Sequence, residues 1–200
     1  MAKIKGAHTL KETDIKSMIR KGEISSELEL ERASLAARFL RLQGEDQPEL
    51  AALEQQLSTL IRDYESTNWA DFKLVTEKQV KDSNLAEKLA AREFKFYKQR
   101  RELIIQTLKQ NGLNQNDLSA ILAHSKSYTS ELLNGIRSFS MNDLVIIHKL
   151  FKIKLEDLIF TEITPDVELR IRETFEKAAE NTSKSKKPAQ VTSLMKALYS

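Results

Sequence analysis

The sequence predicts an all-α protein, and three observations carry that prediction. Apolar residues recur at helical spacings of three, four and seven, while no period-two alternation persists for more than a few residues. Only five Gly and three Pro punctuate the 200 residues. Gly22, Gly44, Gly112 and Gly135 fall where helical patterns stop, as helix-terminating glycines do. An apolar content of 40% is enough for a core, and a charged content of 30% suits a helix-rich soluble chain.

Composition also narrows the function. No apolar run approaches the ~20 residues of a membrane span. The opening MAKIKGAHTLKETDIK lacks an apolar signal core. The absence of cysteine excludes disulfides, thiolate zinc sites and thiol catalysis, and fits a reducing cytoplasm. The expected location is therefore cytoplasmic, with no membrane partner. His8, His124 and His148 are too far apart to form a metal motif, so no metal is expected. The Asp and Glu pairs fall at surface-helix spacings, and there is no Gly-rich phosphate loop or serine nucleophile motif. Neither an enzyme nor a cofactor is expected. Charge is uneven: residues 23–65 carry four Arg against ten acids, while residues 92–154 carry eleven Lys and Arg against five. A basic half suits a polyanion and an acidic half a basic partner, although two solvated helical surfaces would look the same.

Residues 1–24 are basic and mostly polar and are expected to form a flexible arm, in part helical. Three roles are open to it: lying along phosphates, binding a protein, or serving as a solubilising tail. Residues 25–97 are expected to form an N-terminal helical region for oligomerisation or partner binding. Its first helix runs over 25–43, with Leu28, Leu35, Phe39 and Leu42 on one face. Ser26 and Glu29 have capping-box spacing, and Gly44 ends the helix. Asp46 and Glu49 repeat the capping pattern, with Pro48 tolerated in the first turn. Leu50, Leu53, Leu57, Leu60, Ile61 and Tyr64 follow as a second stripe. The short GEDQ connection predicts an antiparallel hairpin, with Trp69 and Phe72 closing its open end. Residues 76–111 read as mostly helical, with Val80, Leu85, Leu89, Phe96, Leu103, Ile104 and Leu108 apolar and the KDSN stretch at 81–84 as the weakest point.

Residues 98–162 carry the densest signals. Gly112 ends the preceding helix and Asn114 caps the next, which buries Leu118, Ile121 and Leu122. Ala123 and His124 turn the chain. Ser125 caps a third helix that buries Leu132 and Leu133, turns Lys126, Ser127, Ser130 and Glu131 outward, and ends at Asn134-Gly135. Ser140 caps MNDLVIIHKLF, with Leu144, Ile147 and Phe151 inward, and LEDLIF forms a last short helix. Two short helices joined by a tight turn, the second polar on its outer face, form the helix-turn-helix pattern, in which that face meets base edges and phosphates. Beyond Thr164-Pro165, within residues 163–200, a further amphipathic helix to about residue 180, with Leu169, Ile171 and Phe175 apolar, precedes a polar basic tail expected to be disordered.

The run GLNQNDLSAILAHSKSYTSELLNGIRSFSMNDLVIIHKLFKIKLEDLIF resembles the Xre and phage-repressor family of helix-turn-helix domains. Within that superfamily the chain is most similar to HigA-type antitoxins, through the SKS-x-x-SE-x-LNG-x-R run and LSTLIRDYE at residues 57–65. The resemblance covers roughly residues 24–160 and implies a helical hairpin followed by a five-helix repressor-like domain. It also implies roles by position. Gln115 holds a phosphate. Ser125 caps the second short helix and meets backbone. Lys126, Ser127 and Glu131 read bases, with Ser130 beside them on the same face. Asn134 and Arg137 bind phosphates. Three positions depart from the family pattern: Thr129 stands where a β-branched apolar residue is usual, Ile136 where a basic residue is common, and Ala123 where the turn usually has Gly.

The resemblance further implies a homodimer on a palindromic double-stranded DNA operator and, as partner, a small basic HigB-type toxin that cleaves mRNA. On that reading the chain neutralises the toxin and represses its own operon. Two alternatives are a stand-alone Xre-family regulator without a toxin, and a helix-turn-helix scaffold used only for protein–protein contact.

Overall fold

The computed structural model describes residues 14–43, 47–71 and 73–182. Among these it is all-helical, and no helix is long and apolar enough to cross a membrane. The chain divides into two units, Met1–Phe160 and Thr161–Ser200. In the second, the helix α8, Pro165–Thr182, lies where the sequence places it, with Leu169 exposed. The basic tail from residue 183 lies outside the described residues.

The first unit opens with a departure. Part of the expected arm is the helix α1, Ile15–Lys21, and it is built into the core. The Asp14 side chain accepts from the Ser17 amide at 2.6 Å, and the Ser17 hydroxyl accepts from the Asp14 amide. This capping box satisfies two of the amides a helix N-terminus leaves open. Gly22, at φ +76°, ends the helix in the left-handed conformation that glycine adopts without a Cβ penalty. Ile15 and Met18, three apart, are buried on one side. That burial, rather than local propensity, holds so short a helix. Residues 1–13 of the expected arm lie outside the described residues.

Helices α2, Glu27–Gln43, and α3, Pro48–Asn68, form the hairpin. Its antiparallel sense shows at both ends. Arg41 donates to Glu54 at 2.6 Å near the connection, and Tyr64 donates to Glu27 at 2.9 Å at the open end. Trp69 closes that end as expected, its Nε1 donating to the same Glu27 oxygen at 3.2 Å. Burial first, and then the Glu27 carboxylate, push the Tyr64 hydroxyl well above the usual tyrosine range. Ser26 accepts from the Glu29 amide, but the Glu29 carboxylate reaches back to Ser25 rather than Ser26. Asp46 and Phe72 lie outside the described residues, and Gln47 precedes α3 without a side-chain capping bond.

The buried face of α2 differs from the expected one. It comprises Leu30, Ala33, Ala36, Ala37 and Leu40, whereas Leu28, Leu35 and Phe39 are half-buried and Leu42 is 73% exposed. The reason is that α2 packs against α1, α3 and the following helix at once. Three alanines on its inner side let those backbones approach, and the larger residues flank the seam.

That following helix, α4, runs unbroken over Glu77–Gln110. The expected weak point at 81–84 is helical. It contains neither Gly nor Pro, its polar residues each cost only a few tenths of a kcal/mol, and Ala86, Leu89 and Ala90 are buried just beyond it. The expected boundary at 97/98 therefore falls inside one helix. Near α2 the buried Glu93 takes a two-pronged contact from Arg32, at 2.6 and 3.1 Å. Further on, Ile104 and Leu108 enter a second core with Leu118, Leu122, Leu132, Leu133, Leu144 and Ile147. Arg100, almost fully buried, donates to the Leu158 carbonyl at 3.1 Å and lies over the Tyr97 and Phe139 rings.

Three more helices complete the unit: α5, Gln115–Ile121, α6, Lys126–Leu133, and α7, Met141–Phe151. The expected last helix is a single 3-10 turn, Leu155–Asp157, after which Leu158 is fully buried.

Candidate nucleic-acid interface

The candidate surface is built on α5, α6 and the turn between them. Asn114 caps α5 by accepting from the Asn116 amide at 2.7 Å, and Asp117 returns the contact to the Asn114 amide at 2.8 Å. Gln115, the first helical residue, is exposed. The chain leaves α5 through Ala123 at φ +56°. A side chain costs roughly 1–2 kcal/mol in this left-handed region, so Ala123 accepts a strain that glycine would not. The turn then closes, with the His124 amide donating to the Ser119 carbonyl at 2.9 Å.

Ser125 caps α6, its hydroxyl accepting from the Tyr128 amide at 3.2 Å. One side of α6 is sealed by the buried Thr129, Leu132 and Leu133. On the other side Lys126 and Ser127 are exposed, and no hydrogen bond or ion pair among the described residues engages their side chains. Ser130 and Asn134 are half-buried and joined to each other at 3.3 Å.

The far end of α6 is tied down. Glu131 accepts from Lys16 of α1 at 2.6 Å and from Arg137 at 2.5 Å. Partial burial pushes the Glu131 carboxyl up, but the hydrogen bonds from Lys16 and Arg137 outweigh it and hold the group below the usual glutamate range. The same contact raises Arg137. The Arg137 guanidinium also lies 5.1 Å from the centre of the Tyr128 ring, which in turn meets the His124 ring at 4.7 Å. His124 reaches the buried Asp143 at 3.0 Å, and Asp143 caps α7 together with Ser140. Helix α1 is fastened at the same place. The Lys16 amide donates to the Ile136 carbonyl at 3.2 Å, and Asp14 accepts from the Ser138 amide and hydroxyl, both at 3.1 Å.

The expected site residues thus fall into two groups. Gln115, Ser125, Lys126 and Ser127 sit on the two helix N-termini and the turn, exposed. Ser130, Glu131, Asn134 and Arg137 sit at the other end of α6 and are engaged with one another or with α1. Ile136 and Thr129 are both buried. Ile136 is 5% exposed and lies in one cluster with Ile15, Met18, Ala33, Ala37 and Leu40, so it anchors α1 and the hairpin. Thr129 is fully buried, and its hydroxyl has no hydrogen-bond partner. Sequence reasoning missed Asp14, Lys16 and Tyr128. The Asp14-x-x-Ser17 spacing before Ile15 and Met18 was the available signal for α1, but nothing local links Lys16 to Glu131, 115 positions away.

Comparison of the chain with protein-family models, with curated proteins and with solved structures finds no match.

Proposed function

We propose that α5 and α6 form a helix-turn-helix and that the chain binds double-stranded DNA as the antitoxin of a type II toxin–antitoxin pair. The observation that carries the DNA reading is the first turn of α6. It is capped by Ser125, sealed on its inner side, and presents Lys126 and Ser127 outward with no partner among the described residues. Lys126 would donate to guanine O6 and N7, and Ser127 to several bases. Gln115, Asn134 and Arg137 would set register on phosphates. Glu131 reading cytosine N4 would first have to break contacts to both Lys16 and Arg137. Base reading is therefore assigned to Lys126 and Ser127 alone.

The basic balance of residues 92–154 suits DNA, and the acidic balance of residues 23–65, which hold α2 and most of α3, suits a small basic toxin. One short helix buries little surface, so the binding form would be a homodimer on a palindrome with half-sites about 34 Å apart or a multiple of that. The antitoxin role rests on the resemblance to HigA-type proteins. A stand-alone regulator would use the same DNA surface without a toxin. A protein-only scaffold is favoured by one observation, the occupation of the far end of α6 by α1.

Two experiments test the reading. Inducing the neighbouring open reading frame alone should arrest growth, and co-inducing this chain should restore it; a harmless neighbour would favour the stand-alone regulator. Binding to duplex DNA should weaken steeply with salt, log K falling by several units per unit of log[salt] for about six phosphate contacts. Absence of binding at about 50 mM salt would leave only the scaffold.

A further inference from the structure

The contact between α1 and the end of α6 joins segments more than a hundred residues apart and places three charges together. Lys16 and Arg137 both hold the Glu131 carboxylate, with side chains 28%, 30% and 21% exposed respectively. The Asp14 carboxylate, bonded to Ser138, lies near enough to act on the Arg137 charge, so α1 brings one anion as well as one cation to this end. Lys16 enters on a rigid support. Its backbone amide is bonded to Ile136, the preceding Asp14 is bonded to Ser138, and Ile15 and Met18 share a buried cluster with Ile136.

We propose that Lys16 is a positioning residue for the tied end of α6, acting through Glu131 to fix the Arg137 guanidinium where it would meet a phosphate. The DNA half of this inference rests on the function proposed above; the positioning half does not. With one of its two cations removed, Glu131 would be neutralised only by Arg137. Arg137 would then be drawn wholly into that pair and withdrawn from any phosphate. Lys16 contributes without touching the nucleic acid.

The test uses the full chain and a double-mutant cycle of Lys16→Met and Glu131→Gln. Three quantities are read: the melting temperature, the NMR signal of the Arg137 Nε–H group, and affinity for a duplex selected from random sequence by the wild-type chain. Lys16→Met should shift or broaden the Arg137 signal and weaken DNA binding about tenfold, within the usual range of coupling between sites. Lys16→Arg should restore both. On the Glu131→Gln background, Lys16→Met should change affinity little, and the salt slope should fall by much less than the ~0.9 expected for loss of a direct phosphate contact. An unmoved Arg137 signal overturns the proposal. So does an equal loss of affinity on both backgrounds, which would mean that Lys16 binds phosphate itself or only supports the fold. If Lys16→Met does not fold, Lys16→Gln takes its place in the cycle under the same criteria. A wild-type chain that selects no duplex sinks the DNA reading, and the positioning role is then decided by the Arg137 signal alone.

Discussion

The two ends of α6 are built for opposite purposes. At the first turn, Lys126 and Ser127 stand in solvent on a helix whose inner side is sealed. At the last turn, Glu131 is held by two cations, Asn134 by Ser130, and the loop beyond by α1. One short helix thus leaves its first turn unengaged and fixes its last against its own chain. Exposed, unengaged side chains lose rotamer entropy only on binding, whereas the tied end has already lost it on folding.

The comparison breaks most severely at Ile136. Truncating it to Ala removes the apolar anchor shared by α1, the hairpin and the end of α6, and should cost about 3 kcal/mol of stability. Urea denaturation measures this, and hydrogen exchange should show α1 opening before α5. A variant as stable as wild type would mean that the tied end does not need its anchor. At the open end the expectation reverses. Lys126→Ala should leave stability within about 0.5 kcal/mol but weaken sequence-specific DNA binding by roughly 2 kcal/mol, read by titration of a fluorescent duplex. Equal loss on all sequences would make Lys126 a phosphate contact rather than a base reader.

Thr129 lies between the two ends, and replacing it sharpens the contrast without touching either surface. Its hydroxyl is buried without a partner, so the near-isosteric Thr129→Val should raise stability by about 1 kcal/mol and leave DNA affinity unchanged. A loss of stability in thermal melts would show that the hydroxyl is satisfied in solution.

The smallest effect is that of pH on the tied end. The Glu131 carboxyl is held below its ordinary range in the folded chain, so the folded state binds that proton less readily than the unfolded one. Its contribution is full above the ordinary glutamate range and is lost as pH falls through the lowered folded value. Because the pair is partly exposed, the loss should stay below about 1 kcal/mol. Glu131→Gln should flatten this part of a stability–pH curve, and an unchanged curve would show that the two ion pairs contribute nothing net.

Much of this architecture was legible from local signals. Asn114, Ser125 and Ser140 cap the helices they were expected to cap, because capping depends on residues two or three positions apart. The α3 stripe from Leu50 to Tyr64 is the inward side of that helix, with Leu57 fully buried, because large apolar side chains at helical spacing leave little choice of face. The α2 face was misread because three alanines define it, and alanine carries a weak burial signal.

The sequence by itself therefore determined that the chain is helical, where most helices start, and that α6 offers Lys126 and Ser127 to solvent. Only the tertiary structure decided that α4 runs unbroken past the expected domain boundary, that residues 15–21 belong to the core, and that Ile136 is an anchor. It also decided that Glu131 is held by Lys16, 115 positions away. The physical reason is range. Caps, periodicity and turns are set by neighbours within about one helical turn, whereas burial and charge pairing depend on residues that only the folded chain brings together.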